Sequence, residues 1–319
     1  MNTFVTLLKR EYWENKTSFF WVPLVITGIT IFTATLGLII ASSGSIQTGE
    51  YGSHDLGGLF KLYDVSVDAD FKAFATQSAL YSAVYSFYIV LAIVGFFYCL
   101  GALYDDRKDK SILFWKSMPV SDSQTVLSKA ISVIIVAPFI YWLVIISTNL
   151  AMLIIGTVFA WLSDVNAWSA LWANSGFFKI AVYQLAAMYM AMLWAIPFVG
   201  YLLLVSSWTK KVPFLVATVP PVLTVIAEGM IFKTAHVFSF LGEKMFGVVQ
   251  ALVAPFNALA VEFSQKRADV EDDIPIFDEL EFMSFGQQFQ DSGFWIGIIL
   301  GAAMIAGAIY IRRFRDEAF

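Results

Sequence analysis

Charged positions alone divide this chain into long apolar stretches. Five runs free of Asp, Glu, Lys and Arg exceed the ~18 residues that mark a spanning helix; they cover 17–49, 73–104, 130–163, 180–209 and 292–311. A sixth, 212–227, is shorter and is followed by Glu228, but 229–232 extends it to Lys233. Such gaps outline spans because a charge at the bilayer centre costs about 2.5 to 3.5 kcal/mol on insertion scales. The pattern predicts an all-α membrane protein. Its single domain, 1–319, has six transmembrane helices near 19–41, 78–104, 130–156, 180–205, 212–232 and 293–311.

Composition agrees, with 59% apolar residues and 17% aromatics against roughly 45 to 50% apolar in soluble domains. The apolar core of the first span is too long for the 7 to 15 residues of a cleaved signal peptide, so it reads as a span. The lone cysteine, Cys99, lies inside an apolar run and has no intramolecular disulfide partner.

The basic residues orient the bundle, because short cytoplasmic loops carry the excess of Lys and Arg. With the N-terminus inside, Lys9, Arg10, Lys16, Arg107, Lys108, Lys110, Lys116, Lys129, Lys210, Lys211, Arg312, Arg313 and Arg315 are all inner, 13 of the 20 basic residues. The outer segments hold 17 of the 25 acidic ones. This places both termini and the loop 105–129 in the cytoplasm, with outer loops at 42–77 and 234–292. The first outer loop opens on a flexible "SSGSIQTGEYGS" and passes Asp64, Asp68 and Asp70. In the second, 238–263 is mostly apolar, and Gly242, Gly247 and Pro255 space it into pieces too short to span. That pattern predicts re-entrant or interfacial helices before the last span. "RADVEDDIPIFDELEF" follows at 267–282, read as a solvated surface with a cation or substrate site as the alternative.

Catalytic motifs are sparse. There is no GxxxxGK[ST] and no HExxH, and His54 and His236 are the only histidines. The chain offers neither its own phosphate-cradling loop nor a His-rich zinc site. His54 in "GSHDLGG" reads as a loop histidine, with general-base work as the alternative. Glu228, an acid within an apolar stretch, is a candidate for a proton or cation path or for an interfacial structural role. Pro220 and Pro221 lack backbone donors, so the fifth helix is expected to break there and line a pathway. Gly297 and Gly301 at GxxxG spacing, with Ala303 and Gly307 repeating it, predict close approach by another helix. Met188, Met190 and Met192 with Trp194 read either as a soft surface for an apolar substrate or as lipid-facing filler.

The inner face is more specific. Over 3–16, Phe4, Val5, Leu8 and Tyr12 share one side at helical spacing, which predicts an interfacial helix leading into the first span. Glu11 interrupts that stripe. In "DDRKDKSILFWKSMP", residues 105–119, the i,i+4 pair Asp106 and Lys110 supports a helix that Pro119 ends. Ser121 with Gln124 then forms a capping box that opens the third span. Ile112, Leu113, Phe114 and Trp115 subtend more than one helix face, so some of them face a protein, and the flanking charges point to a soluble one.

These residues carry a family resemblance. "LYDDRKDKSILFWKSMPVSDSQTVLSK" resembles the cytoplasmic loop of ABC transporter permeases of the type 2 exporter class, in the bacterial form with a separate ATP-binding subunit. "LLKREYWENKTSFFWVPL" resembles their N-terminal segment. The resemblance implies a coupling helix over 106–118 that docks on that subunit, with Asp106, Arg107, Lys110, Ile112, Leu113, Phe114, Trp115 and Lys116 as docking residues. It also implies an amphipathic connecting helix over 3–16 and re-entrant helices over 236–261. An acidic outer segment as long as 262–291 departs from the family pattern. The expected protein is half of a 12-span exporter in a bacterial inner membrane, paired with a second permease subunit and two copies of the ATP-binding subunit. It would not be an enzyme itself and would hold no cofactor, ATP and Mg belonging to the partner; nothing points to nucleic acid. The alternatives are a non-transporting anchor that recruits an ATPase for signalling or immunity, and an intramembrane enzyme.

Overall fold

A computed structural model describes residues 3–43, 46–48, 52–54, 67–109, 120–173, 175–267 and 286–314. The fold is helical. In chain order the helices are α1 (Thr3–Glu14), α2 (Val22–Ser43), α3 (Ala69–Ser82), α4 (Tyr85–Ala102), α5 (Tyr104–Lys108) and α6 (Asp122–Ile131). They continue as α7 (Ala137–Leu162), α8 (Phe177–Trp208), α9 (Pro213–Ala227), α10 (His236–Arg267) and α11 (Ser292–Phe314). Five-residue π-helical segments at Thr17–Trp21, Ser132–Val136, Trp168–Trp172 and Glu228–Phe232 adjoin α2, α7, the turn before α8 and α9. A short antiparallel hairpin pairs Ile46–Thr48 with Gly52–His54, in the segment expected to be flexible.

Seven helical stretches are long and apolar enough to cross a membrane, which marks a multi-pass membrane protein. Six correspond to the expected spans. The seventh is α10, and here the expectation of broken short pieces is corrected. His236–Arg267 is one continuous helix of 32 residues, about 48 Å long at 1.5 Å per residue. Packing against α8 supplies what local propensity denies it. Gly247 admits the Trp194 ring where a Cβ would collide with it, and Ala251, Ala254, Ala258 and Leu259 beyond it are buried. The contacts run antiparallel to α8, from Gly247 at Trp194 to Leu259 in the cluster that holds Ile180.

The break expected at the two prolines is also absent, for a similar reason. α9 is helical straight through Pro220 and Pro221. Pro221 cannot donate to the Ala217 carbonyl four residues back, but Tyr201 on α8 donates its hydroxyl to that carbonyl at 2.9 Å. A neighbouring side chain thus satisfies the orphaned acceptor, as membrane helices require.

α8 is the centre of the bundle and packs against α4, α7, α9, α10 and α11. Its seam with α11 is a close approach of backbones, as the GxxxG spacing predicted. A Cβ added at Gly301 would lie 2.6 Å from the Ile196 carbonyl oxygen, and one at Gly200 would lie 2.5 Å from that of Gly301. Met188 and Met190 face inward and are buried, so they are core rather than lipid-facing. Cys99 is fully buried in the main apolar cluster with Phe19, Phe87 and Tyr141.

Candidate functional site: the root of the loop 105–119

Lys110, Ile112, Leu113, Phe114, Trp115 and Lys116 lie outside the described residues. The two ends of their loop are described, and both are anchored by buried charge. At the leaving end, the Ser206 hydroxyl of α8 accepts the Leu103 and Tyr104 N–H groups, each at 3.0 Å, and donates to the Leu100 carbonyl at 2.8 Å. This one hydroxyl splints the corner where α4 passes into α5.

Asp106 and Arg107, two of the expected docking residues, follow on α5, and the structure buries both. They are 8% and 5% exposed. Asp106 accepts from Arg312 Nη1 at 3.0 Å and faces Lys129 Nζ at 3.6 Å. Lys129 also pairs with Glu11 at 3.1 Å, and Arg312 donates through Nε to Asp122 at 3.2 Å. The Tyr98 hydroxyl donates to the second Glu11 oxygen at 3.0 Å. Glu11, Lys129, Asp106, Arg312 and Asp122 therefore form an alternating chain in which each cation is shared by two carboxylates. It joins α1, α6, α5 and α11. Alternation is what makes the burial tolerable, because an ionised group without a counter-charge in a low-dielectric interior costs several kcal/mol.

Arg107 points the other way. Its Nη2 donates to the carbonyls of Ser206 and Thr209 at 2.5 and 2.9 Å, and its Nε to that of Leu103 at 3.3 Å. Thr209 is the C-cap of α8, so this one guanidinium nitrogen satisfies acceptors that a helix end leaves open.

At the returning end the capping box forms as the sequence indicated. Ser121 Oγ accepts the Gln124 N–H at 3.2 Å, and Gln124 Oε1 accepts the Ser121 N–H at 3.3 Å. Asp122 in the next position reaches Arg312, which fastens the start of α6 to the last turn of α11.

α1 presents a different face from the one the apolar stripe suggested. Leu7 and Glu11 are its buried residues; Phe4, Leu8 and Tyr12 flank them half-buried, and Val5 is exposed. Glu11 is the centre of the inward face rather than an interruption of it, because Lys129 and Tyr98 wait there. Arg10 pairs with Glu14 at 2.6 Å along the helix, away from the Glu11 face.

The candidate pathway residues lie apart from this root. Pro220 is exposed, Pro221 is half-buried, and Ala217 is the buried residue of α9. The Glu228 carboxylate is committed to the next corner. It accepts from Thr234 Oγ1 at 2.8 Å and from the His236 and Val237 N–H groups at 2.6 and 2.8 Å, capping the first turn of α10. This is the structural role weighed for it.

Sequence reasoning missed Ser206 and Lys244. Lys244 is 1% exposed on α10. It donates to Glu243 Oε1 at 2.5 Å and to the Gly293 carbonyl at 2.7 Å, with the Trp194 and Phe240 rings about its ammonium. No signal in the sequence separated it from the other lysines of the expected outer segments. Among the described residues, no group of three or more His, Cys, Asp or Glu side chains is placed to hold a metal ion.

The class defined by this architecture is a multi-pass α-helical membrane protein with a charge-anchored loop root at one end of its bundle. No protein-family model, curated protein or solved structure matches the chain.

Proposed function

We propose that this chain is the membrane-spanning permease subunit of an ATP-driven ABC transporter of the exporter type, in a bacterial inner membrane. It does no bond-making chemistry. Its task is to receive force from a separate ATP-binding subunit on the loop 105–119 and to deliver it to the helices.

The observation that carries the reading is the buried charge chain at the loop root. A loop that merely crosses a surface needs no internal anchor, and four charges buried together, with the half-buried Asp122 beside them, are costly to assemble. A loop on which a partner pushes needs both ends fixed to several helices. Asp106, Arg107 and Asp122 supply that, tying the loop directly to α8 and α11 and, through Lys129, to α1. The same contacts favour six crossings. α1 and the last turn of α11 meet in one charge chain at one end of the bundle, so an even number of crossings separates them. α10 is then an outer helix lying against α8 rather than a separate crossing, and the positive residues set the shared end as cytoplasmic.

Phe114 and Trp115 are the docking anchors in this reading, since buried aromatics supply most of the energy of an interface. The double variant Phe114→Ala with Trp115→Ala is expected to insert and fold normally while its ATPase fails to co-purify. The loss is at least about 30-fold in affinity if one anchor is worth about 2 kcal/mol. A double variant that loses membrane stability, or that keeps its partner with full coupled ATPase activity, refutes the docking role.

A further inference from the structure

α9 together with the π-helical segment Glu228–Phe232 that continues it is bounded at both ends by non-glycine residues in the left-handed region. Val212 stands at φ 49°, ψ 68°, and Lys233 at φ 52°, ψ 32°. Val212 is the more strained of the two. A β-branched side chain is disfavoured there, and the residue before a proline prefers extended backbone, yet Val212 precedes Pro213. Strain of this kind persists only where the surroundings over-determine it.

α9 itself provides little of that restraint, since Ala217 is its buried residue and the Val212 side chain is 53% exposed. The restraint comes from the α8 side of the turn. Arg107, buried at the loop root, grips the carbonyls of Ser206 and Thr209, and Thr209 lies three positions before Val212. The Thr209 N–H and hydroxyl both bond back to the Val205 carbonyl, at 3.1 and 2.7 Å. On the far side, the Val212 carbonyl accepts from Leu215 and Val216 at 3.1 and 3.3 Å, so the first turn of α9 is set by the Val212 conformation.

We propose that Arg107 is a positioning residue that clamps the α8–α9 turn, so that movement of the loop root reaches α9 through a strained hinge at Val212. The guanidinium suits this task because its rigid plane holds Nη2 on the Ser206 and Thr209 carbonyls while Nε stays on that of Leu103, a two-point register that a single lysine ammonium cannot fix. When the grip on Thr209 slackens, Val212 relaxes toward the extended backbone favoured before Pro213, and α9 changes direction. It moves as one rod because it stays helical through Pro220 and Pro221. At its far end Lys233 is the second joint, and Glu228 braces the first turn of α10 across it. Asp106, next to Arg107, keeps the root in step with α1 and α11. That a docked ATP-binding subunit drives the root rests on the permease reading; the clamp and hinge do not.

The test uses the full-length chain alone in lipid nanodiscs, in a Cys99→Ala background. Spin labels at Leu223→Cys on α9 and Ile154→Cys on α7 report the position of α9 by pulsed electron spin resonance. A second pair, Ile93→Cys on α4 with Ile154→Cys, reports the rest of the bundle. Arg107→Met is expected to add a displaced α9 population while the second pair keeps its distance. Adding Val212→Gly to that variant is expected to return α9 toward its parent distance, because glycine occupies the left-handed region without strain. Arg107→Lys serves if the methionine variant does not insert, with a smaller displaced population. An α9 distance unchanged by loss of the guanidinium, or a displaced population that Val212→Gly does not reduce, overturns the proposal. Because no partner is present, the result is independent of whether Phe114 and Trp115 dock an ATPase.

Discussion

Replacing Lys129 by Met removes the cation that Glu11 and Asp106 share, at almost constant side-chain volume. Lys129 is 3% exposed and its partners stand at 3.1 and 3.6 Å. Asp106 keeps Arg312 at 3.0 Å, but Glu11, 1% exposed, is left with the Tyr98 hydroxyl as its described donor. Breaking a buried ion pair by deleting one partner costs roughly 3 to 5 kcal/mol, most of it the uncompensated charge that remains. That range applies here to Glu11, the one carboxylate left without a cation, since Asp106 retains Arg312. If the remaining charge is the cause, neutralising it should help. Glu11→Gln combined with Lys129→Met is expected to recover about 1 to 3 kcal/mol relative to Lys129→Met alone, the coupling typical of residues in one network. The assay is reversible unfolding in mixed detergent micelles, followed by far-ultraviolet circular dichroism and tryptophan emission for the parent, both single variants and the double. A Lys129→Met variant within about 0.5 kcal/mol of the parent, or a double variant no more stable than Lys129→Met, would refute the account of the loop root as a charge-balanced anchor.

Gly301→Val is expected to force α11 away from α8, because its Cβ would meet the Ile196 carbonyl at 2.6 Å. Overpacking against rigid backbone costs about 1 to 3 kcal/mol or more, and the same unfolding assay reads it, while Gly28→Val at an open position is expected to be near neutral. Topology is checked with cysteines at Ser45, Ser169 and Ser264 in a background lacking Cys99. These are expected to react with an impermeant thiol reagent from outside intact cells while Ser111→Cys does not, and labelling at 111 would reverse the orientation. Tyr201→Phe leaves the Ala217 carbonyl without the donor that stands in for Pro221. The expected cost is about 1 kcal/mol, in the range of membrane-buried hydrogen bonds, and no measurable loss would mean that the carbonyl finds another donor.

What was legible in the sequence was whatever a short window or a simple solvent cost decides. The six expected spans appeared as gaps in charge because the bilayer penalises each ion independently of its neighbours. The Ser121 and Gln124 box formed because both partners lie within one turn, and the Gly297 and Gly301 face met a helix because small residues at that spacing serve any close neighbour. Tertiary structure decided the rest. Glu11 read as a flaw in an apolar stripe, and Asp106 and Arg107 as docking residues for a partner, since the groups they meet stand about a hundred or more residues away at Lys129, Arg312, Ser206 and Thr209. Gly242, Gly247 and Pro255 in α10, and Pro220 with Pro221 in α9, read as breaks because each weakens a helix in isolation. They lie within continuous helices because Trp194 packs where Gly247 opens a space and Tyr201 bonds the carbonyl that Pro221 abandons. A backbone defect or a buried charge is resolved by what another helix brings to it, and that is set by packing across the bundle, not by the local run of residues.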